Sequence, residues 1–219
     1  MTLALKNVSK SYVLSGQRKD VLQNITYEFP ADKNVAIMGR NGAGKSTLMR
    51  ILSGSERPDR GRVIRKTPVS WPLGFSGGFN GSMTGIENAM FVARLYGADT
   101  EAVIEYVSWF SELGNSLKLP IKTYSSGMKA RLAFGLSMAI SFDVYLIDEI
   151  TSVGDEAFKR KCRTVFESKL SESRVVMISH SASTIRKFCD CGVILENGQL
   201  EQFDDIDLLI HRYRDILTD

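Results

Sequence analysis

Long apolar runs are missing from this 219-residue sequence. Thr67 to Ile86 is the one long stretch without a charge, yet it carries Gly74, Gly77, Gly78, Gly81 and Gly85 with Pro68 and Pro72. A spanning helix takes about 20 predominantly apolar residues with every backbone group satisfied. The stretch therefore reads as loop, and the chain is not expected to cross a membrane. Cysteine is scarce. Cys162, Cys189 and Cys191 are odd in number, and their spacing suits neither a disulfide framework nor a C-x-x-C redox pair, which fits a reducing compartment. Cys189 and Cys191 with His180 lack the fourth ligand of a zinc site. Met1 to Tyr12 lacks the apolar core of about 7 to 15 residues of a secretory signal, so the protein is expected to stay where it is made. Neither sign of charge dominates: 28 Lys+Arg against 25 Asp+Glu leave a net charge of +3, too little to point to nucleic acid as partner.

What is present is an ordinary globular balance, 43% hydrophobic and 24% charged, at a length that suits one large domain with room for a small subdomain. Two strand-like runs between Leu3 and Phe29, separated by a polar loop at Ser15 to Asp20, suggest a hairpin. VAIM at Val35 to Met38 is a short β-type run. A glycine-rich turn follows, then STLMRILSG with helical spacing and a glycine stop at Gly54. A basic strand-like piece covers Arg62 to Lys66. Thr84 and Glu87 have capping-box spacing ahead of a helix to about Tyr96, and a second helix lies near Glu101 to Leu113. From Ser126 onward helices alternate with the strands VYLI, VVMIS and VILE, which implies a mainly parallel sheet. Asn197-Gly198 marks a hairpin turn, and a polar helix ends the sequence. Residues 1–70 and 143–219 are expected to form the sheet core, with a helical subdomain inserted at about 71–142. Lys159-Arg160-Lys161 reads as a solvated helix face.

Chemistry concentrates in a few segments. Gly39-Arg40-Asn41-Gly42-Ala43-Gly44-Lys45-Ser46-Thr47 satisfies G-x-x-x-x-G-K-[ST] between an apolar strand and a helix. Its glycines let successive N–H groups turn around a phosphate, the helix N-terminus adds positive potential, Lys45 reaches the terminal phosphates, and the Ser46 hydroxyl can ligate Mg²⁺. Val144-Tyr145-Leu146-Ile147 runs into Asp148 and Glu149 at the carboxyl end of a strand, where such groups face a ligand crevice. Strand alternation sends the two carboxylates opposite ways, one toward Mg²⁺ and one toward an attacking water. His180 follows the strand at Val175 to Ser179 on the same sheet edge, placed to donate to a γ-phosphate or to orient the water. In Tyr124-Ser125-Ser126-Gly127-Met128, Ser125 or Ser126 can cap a helix whose N-terminus is itself an anion-binding end.

Taken in this order, the segments resemble the nucleotide-binding subunit of ABC transporters, a P-loop NTPase fold of mainly parallel α/β core, N-terminal antiparallel β part and inserted helical subdomain. The resemblance implies ATP and Mg²⁺ as ligands and an adenine-stacking role for Tyr12. Residues Gly39 to Thr47 would be the Walker A loop, Asp148 the Mg²⁺-binding Walker B carboxylate and Glu149 the catalytic carboxylate, with His180 the switch histidine. Ser125, Ser126 and Gly127 would form the signature that closes over the nucleotide of a second copy, and Asp155 would belong to the D-loop. Three features depart from the family pattern. There is no Gln anywhere from Val63 to Arg94, the signature reads YSSGM, and the D-loop reads SVGD.

Those departures, with SWPLGFSGGFNGSMTGIENAMFVARLYG, narrow the resemblance to the ATP-binding subunits of capsular polysaccharide exporters. Teichoic acid and O-antigen exporters, or a soluble non-transport ABC ATPase, stand as alternatives. The resemblance implies a head-to-tail homodimer, peripheral on the cytoplasmic face of a bacterial inner membrane, powering a separate integral-membrane permease. Trp71 to Leu113 is the expected docking face, although Trp71, Phe75 and Phe79 could equally fill a core.

Overall fold

A computed structural model describes residues 2–14, 16–73, 78–148, 156–170 and 172–218. Glu149, Ser152, Asp155, Phe75 and Gly77 lie outside the described residues. The chain separates into two compact units, one of residues 1–72, 142–150 and 173–219, the other of residues 73–141 and 151–172.

The first unit holds two sheets. Strand β1 (Leu3–Leu14) pairs antiparallel with β2 (Gln17–Phe29) and with β4 (Arg60–Arg65), giving the order β2-β1-β4. The hairpin is tighter than the sequence suggests. Gln17-Arg18-Lys19-Asp20 reads as loop because it is polar, but Leu14 to Ser11 pair with Gln17 to Asp20, and backbone pairing overrides composition there. Gly16, at φ 81, makes the turn.

The second sheet has the order β5-β6-β7-β3-β8-β9. Strands β3 (Val35–Met38), β5 (Val69–Pro72), β6 (Val144–Asp148), β7 (Arg174–Ile178) and β8 (Cys191–Glu196) run parallel, and β9 (Gln199–Phe203) closes the edge antiparallel to β8 through Asn197-Gly198. Strand β5 corrects the reading of Thr67 to Ile86 as loop. Val69 and Pro72 pair with Val144 and Leu146, and the Ser70 hydroxyl accepts from Leu146 N–H at 2.9 Å. Proline is tolerated because β5 is an edge strand. β3 and β6 are buried at nearly every position, as expected for parallel strands covered on both faces. Helix α1 (Lys45–Ser53) turns Leu48, Met49, Ile51 and Leu52 into the core, each fully buried and contributing about 1.5–3 kcal/mol, and ends at Gly54 in the left-handed region. Helices α6 (Ala182–Phe188) and α7 (Ile206–Thr218) complete this unit.

The second unit contains α2 (Gly85–Leu95), α3 (Thr100–Ser111), α4 (Ser126–Ala139) and α5 (Glu156–Leu170). The capping box is formed: Thr84 N–H donates to Glu87 at 2.7 Å and Glu87 N–H to the Thr84 hydroxyl at 3.1 Å. Phe110 stands at the centre, stacked on Phe134 at 5.5 Å and edge-on to Phe158 at 5.4 Å, with Gly135 leaving room for its ring. Lys161 corrects the solvated-face expectation. Its ammonium lies 4.4 Å above the Trp109 ring, donates to the carbonyls of Trp109 and Phe110 at the end of α3, and pairs with Glu112 at 2.8 Å. A cation there complements the negative helix end.

Candidate functional site: a phosphate loop and its crevice

The site lies wholly within the first unit. Asp148 on β6 is level with Ile178 on β7, which is level with Ile37 on β3. Three adjacent parallel strands therefore release Asp148, His180 and the glycine loop at one height on one edge of the sheet, where open α/β sheets bind ligands. The resulting crevice has a volume of about 430 Å³ and is lined by Lys45, Ser46, Thr47, Asp148 and His180, with Tyr12, Lys19 and Arg50 on its β1–β2 side.

The loop's shape depends on two glycines. A Cβ on Gly39, at φ 148, would stand 2.3 Å from the Leu195 carbonyl oxygen, and one on Gly44, at φ 108, would stand 2.3 Å from Val21 Cγ1. Sterics and backbone conformation both exclude a side chain there. Gly44 caps α1 without any side-chain hydrogen bond, and no acidic residue occupies the first turn, so the helix presents its N–H groups and positive dipole end to the crevice. Lys45 is buried. Its ammonium donates to the carbonyls of Gly39 at 2.7 Å and Arg40 at 3.0 Å, which fixes the charge in the hollow of the loop. Ser46 is exposed and Asp148 half-buried on the same crevice. A hydroxyl and a carboxylate are the hard oxygen donors that suit Mg²⁺, which keeps waters and substrate oxygens rather than a full protein cage.

Tyr12 is tied into a network. Its hydroxyl donates to Glu56 at 2.6 Å, and Arg50 donates to it at 3.3 Å. Arg50 also donates to Thr47 at 3.1 Å and to Glu56 at 2.9 Å, and Lys10 pairs with Glu56 at 3.1 Å. Burial pushes the Glu56 pKa up, but hydrogen bonds from Tyr12, Arg50 and Lys10 outweigh it and hold the carboxyl below its ordinary value. Sequence reading missed Arg50 and Glu56. The signal was Arg50 standing three residues after Thr47 on the same helix face.

His180 is exposed in the crevice, and its Nδ1 lies 2.8 Å from the hydroxyl of Tyr213 on α7. From the loop, Arg40 donates to the Ile216 carbonyl of α7 at 3.1 Å. No local pattern pointed to either contact, because the partners are 33 and 176 residues apart. Asn41, Gly42 and Ala43 form the outer lip of the loop, with Ala43 N–H donating to the Arg40 carbonyl at 3.1 Å. Cys189 and Cys191 are buried, and burial drives the Cys189 thiol up to about 12, so it stays protonated.

The YSSGM segment belongs to the second unit. Ser125 is the N-cap of α4, accepting from Met128 N–H at 3.2 Å, while Tyr124 is buried and donates to the Ser116 carbonyl at 2.6 Å. Ser125, Ser126 and Gly127 are exposed. The nearest atom a Cβ on Gly127 would meet is the Ser125 hydroxyl at 3.9 Å, so nothing in the described chain demands glycine there.

Residues 22–152 match the ABC transporter family. The chain is 48% identical over 200 residues to the polysialic acid transport ATP-binding protein KpsT of Escherichia coli, covering 90% of this chain and 89% of that protein. It is 44% identical over 214 residues to the capsule polysaccharide export ATP-binding protein CtrD of Neisseria meningitidis serogroup B, covering 98% and 99%. In fold it is similar to the dimeric ATP-binding cassette MJ0796 in a post-hydrolysis state bound to ADP and Pi, with a TM-score of 0.74 at 19% identity over 93% of this chain and 98% of that one. Matches of this extent, running through the glycine loop and strand β6 alike, show that the chain belongs to the ABC transporter family.

Proposed function

We propose that this chain is the ATP-hydrolysing subunit of a capsular polysaccharide exporter. The observation that carries the reading is the convergence of Asp148, His180 and the Lys45 loop at the ends of three neighbouring parallel strands, in a chain 44–48% identical to KpsT and CtrD nearly end to end. Loop amides and Lys45 hold the terminal phosphates, and the Tyr12 ring, steadied through Glu56 and Arg50, supports the adenine. Ser46 and Asp148 would hold Mg²⁺, which when bound neutralises charge on the phosphates. Glu149 polarises the attacking water, and His180 donates to the γ-phosphate.

Each chain carries one phosphate loop and one YSSGM helix end, and the working unit is a head-to-tail homodimer in which Ser125, Ser126 and Gly127 of one copy meet the nucleotide of the other. The glycine at 127, unexplained by its own chain, supports this, because a closely approaching partner would explain it. Asp155 belongs to the same junction. Polymer export needs a path through lipid, and this chain is read as peripheral on the cytoplasmic side, powering a separate membrane-spanning subunit. Among the described residues no helix is long and apolar enough to cross a membrane. Phe91, Leu95 and Trp109 are exposed within the 71–113 segment and supply an apolar docking surface. Trp71 does not belong to it, since its ring packs edge-on against Phe142 at 5.3 Å.

The test is a chromosomal Glu149→Gln substitution. A positioned acid–base group contributes roughly 10²- to 10⁴-fold, so hydrolysis should fall by that order with ATP binding retained, and capsular polymer should accumulate inside the cell. Accumulation of a teichoic acid or O-antigen instead would move the assignment to those exporters, and near-normal turnover would remove Glu149 from its role.

A further inference from the structure

The C-terminal helix reaches the crevice twice from a single turn. Tyr213 meets His180 Nδ1 at 2.8 Å, and three residues on, the Ile216 carbonyl accepts from Arg40 of the glycine loop at 3.1 Å. The helix that delivers these contacts is firmly seated. Leu209, Ile210, Tyr213 and Ile216 form its buried stripe at helical spacing. Gly192 on β8 makes the seat possible, because a Cβ there would stand 2.5 Å from Leu209 Cδ2 and 2.8 Å from the Ala36 carbonyl oxygen. Arg186 of α6 pairs with Asp207 in the first turn of α7 at 2.8 Å.

We propose that Tyr213 is the positioning residue of His180: its phenol O–H donates to Nδ1, which places the ring proton on Nε2 and turns Nε2–H toward the phosphate crevice. Neutral imidazole carries one N–H and one acceptor nitrogen, and the hydrogen bond made by one nitrogen decides the other's state. Tyr213 is only 7% exposed, and a buried phenol keeps its partner. Anchored on α7, it supplies a fixed donor to Nδ1, and Nε2 is then the nitrogen that carries the proton. Without Tyr213, this hydrogen bond no longer selects the tautomer. Tyr213 touches no substrate and acts through the imidazole. The catalytic consequence rests on the reading that His180 donates to the γ-phosphate, whereas the tautomer itself does not.

The test uses the full chain and two readouts. His180 and His211 are the two histidines of the sequence, so a His211→Gln background leaves one imidazole to observe by ¹⁵N NMR with the ring neutral. The shifts should report a single Nε2–H tautomer, and Tyr213→Phe, which removes only the oxygen, should move them toward a mixture. In steady-state ATP hydrolysis, Tyr213→Phe should lower kcat about 2- to 10-fold, the scale of one neutral hydrogen bond, with KM for ATP nearly unchanged. In a His180→Ala background the same substitution should cost nothing further. Unchanged ¹⁵N shifts in Tyr213→Phe, or an equal loss of kcat with and without His180, would overturn the proposal. If His180→Ala itself hydrolyses normally while the shifts still move, the donor role of His180 falls and the hold of Tyr213 on the ring stands.

Discussion

The Tyr12 hydroxyl donates a 2.6 Å hydrogen bond to Glu56, joining the aromatic side chain on the β1–β2 hairpin to the turn after α1. Glu56 also receives Arg50 and Lys10, so one carboxylate ties the ring to Arg50, which lines the crevice, and to Lys10.

Glu56→Ala should therefore destabilise the fold by about 1–3 kcal/mol, since hydrogen bonds to a charged, mostly buried group are lost and Arg50 loses its carboxylate partner, while Lys10 keeps Asp59 at 3.2 Å. The pH dependence has a definite sign. The folded-state pKa of Glu56 lies below its ordinary 4.5, so its contribution is present above that value and is lost as pH falls through the lower folded one. Urea midpoints measured across the acid range should fall less steeply in Glu56→Gln than in the unsubstituted chain. Parallel curves would assign the acid sensitivity to other carboxylates.

The three loop glycines should respond differently to alanine. Gly39→Ala and Gly44→Ala place a methyl 2.3 Å from existing atoms, so both should abolish nucleotide binding and lower stability, by about 2 kcal/mol or more. Gly42 has nothing within 4 Å and pays only for its φ of 79, about 1–2 kcal/mol, with measurable ATP affinity left. Isothermal titration with a non-hydrolysable ATP analogue separates the cases.

Gly127→Ala should dissociate stability from activity. A helical glycine with open space around its Cα loses nothing by gaining a methyl, and stability should hold or rise by about 0.5 kcal/mol. Turnover should nevertheless fall, with ATP binding to the isolated chain unaffected. Thermal denaturation and phosphate release on the same preparation check this, and full activity would place the signature elsewhere.

How much of this could be read from sequence depended on distance along the chain. The glycine loop, α1 and the Thr84–Glu87 capping box are local patterns, in which spacing alone dictates conformation, and each stands where expected. Strand β5 was unreadable because Val69–Pro72 is four residues bounded by proline and glycine, and becomes a strand only by pairing with residues about 75 positions later. Gln17 to Asp20 hid for the converse reason: polar side chains on a strand whose partner, not its composition, holds it extended. At the site, Lys45, Ser46, Asp148 and His180 could be placed by following each strand to its carboxyl end, because parallel neighbours release their loops together. Glu56 and Tyr213 could not, since their partnerships with Tyr12 and His180 span 44 and 33 residues with no motif between them. Lys161 shows the limit of charge patterning, as its neighbours gave no hint that this one cation closes the end of α3.

The shared-site dimer is tested most directly by complementation. A chain with Lys45→Ala lacks a working phosphate loop but keeps its signature, and a chain bearing a bulky substitution at Gly127 keeps its loop but loses its signature. Each alone should hydrolyse almost no ATP. Mixed, they should regain hydrolysis, because half the contacts in a mixed pair unite an intact loop with an intact helix end. A mixture as inactive as its parents, with mixed pairs present by mass spectrometry, would contradict the account.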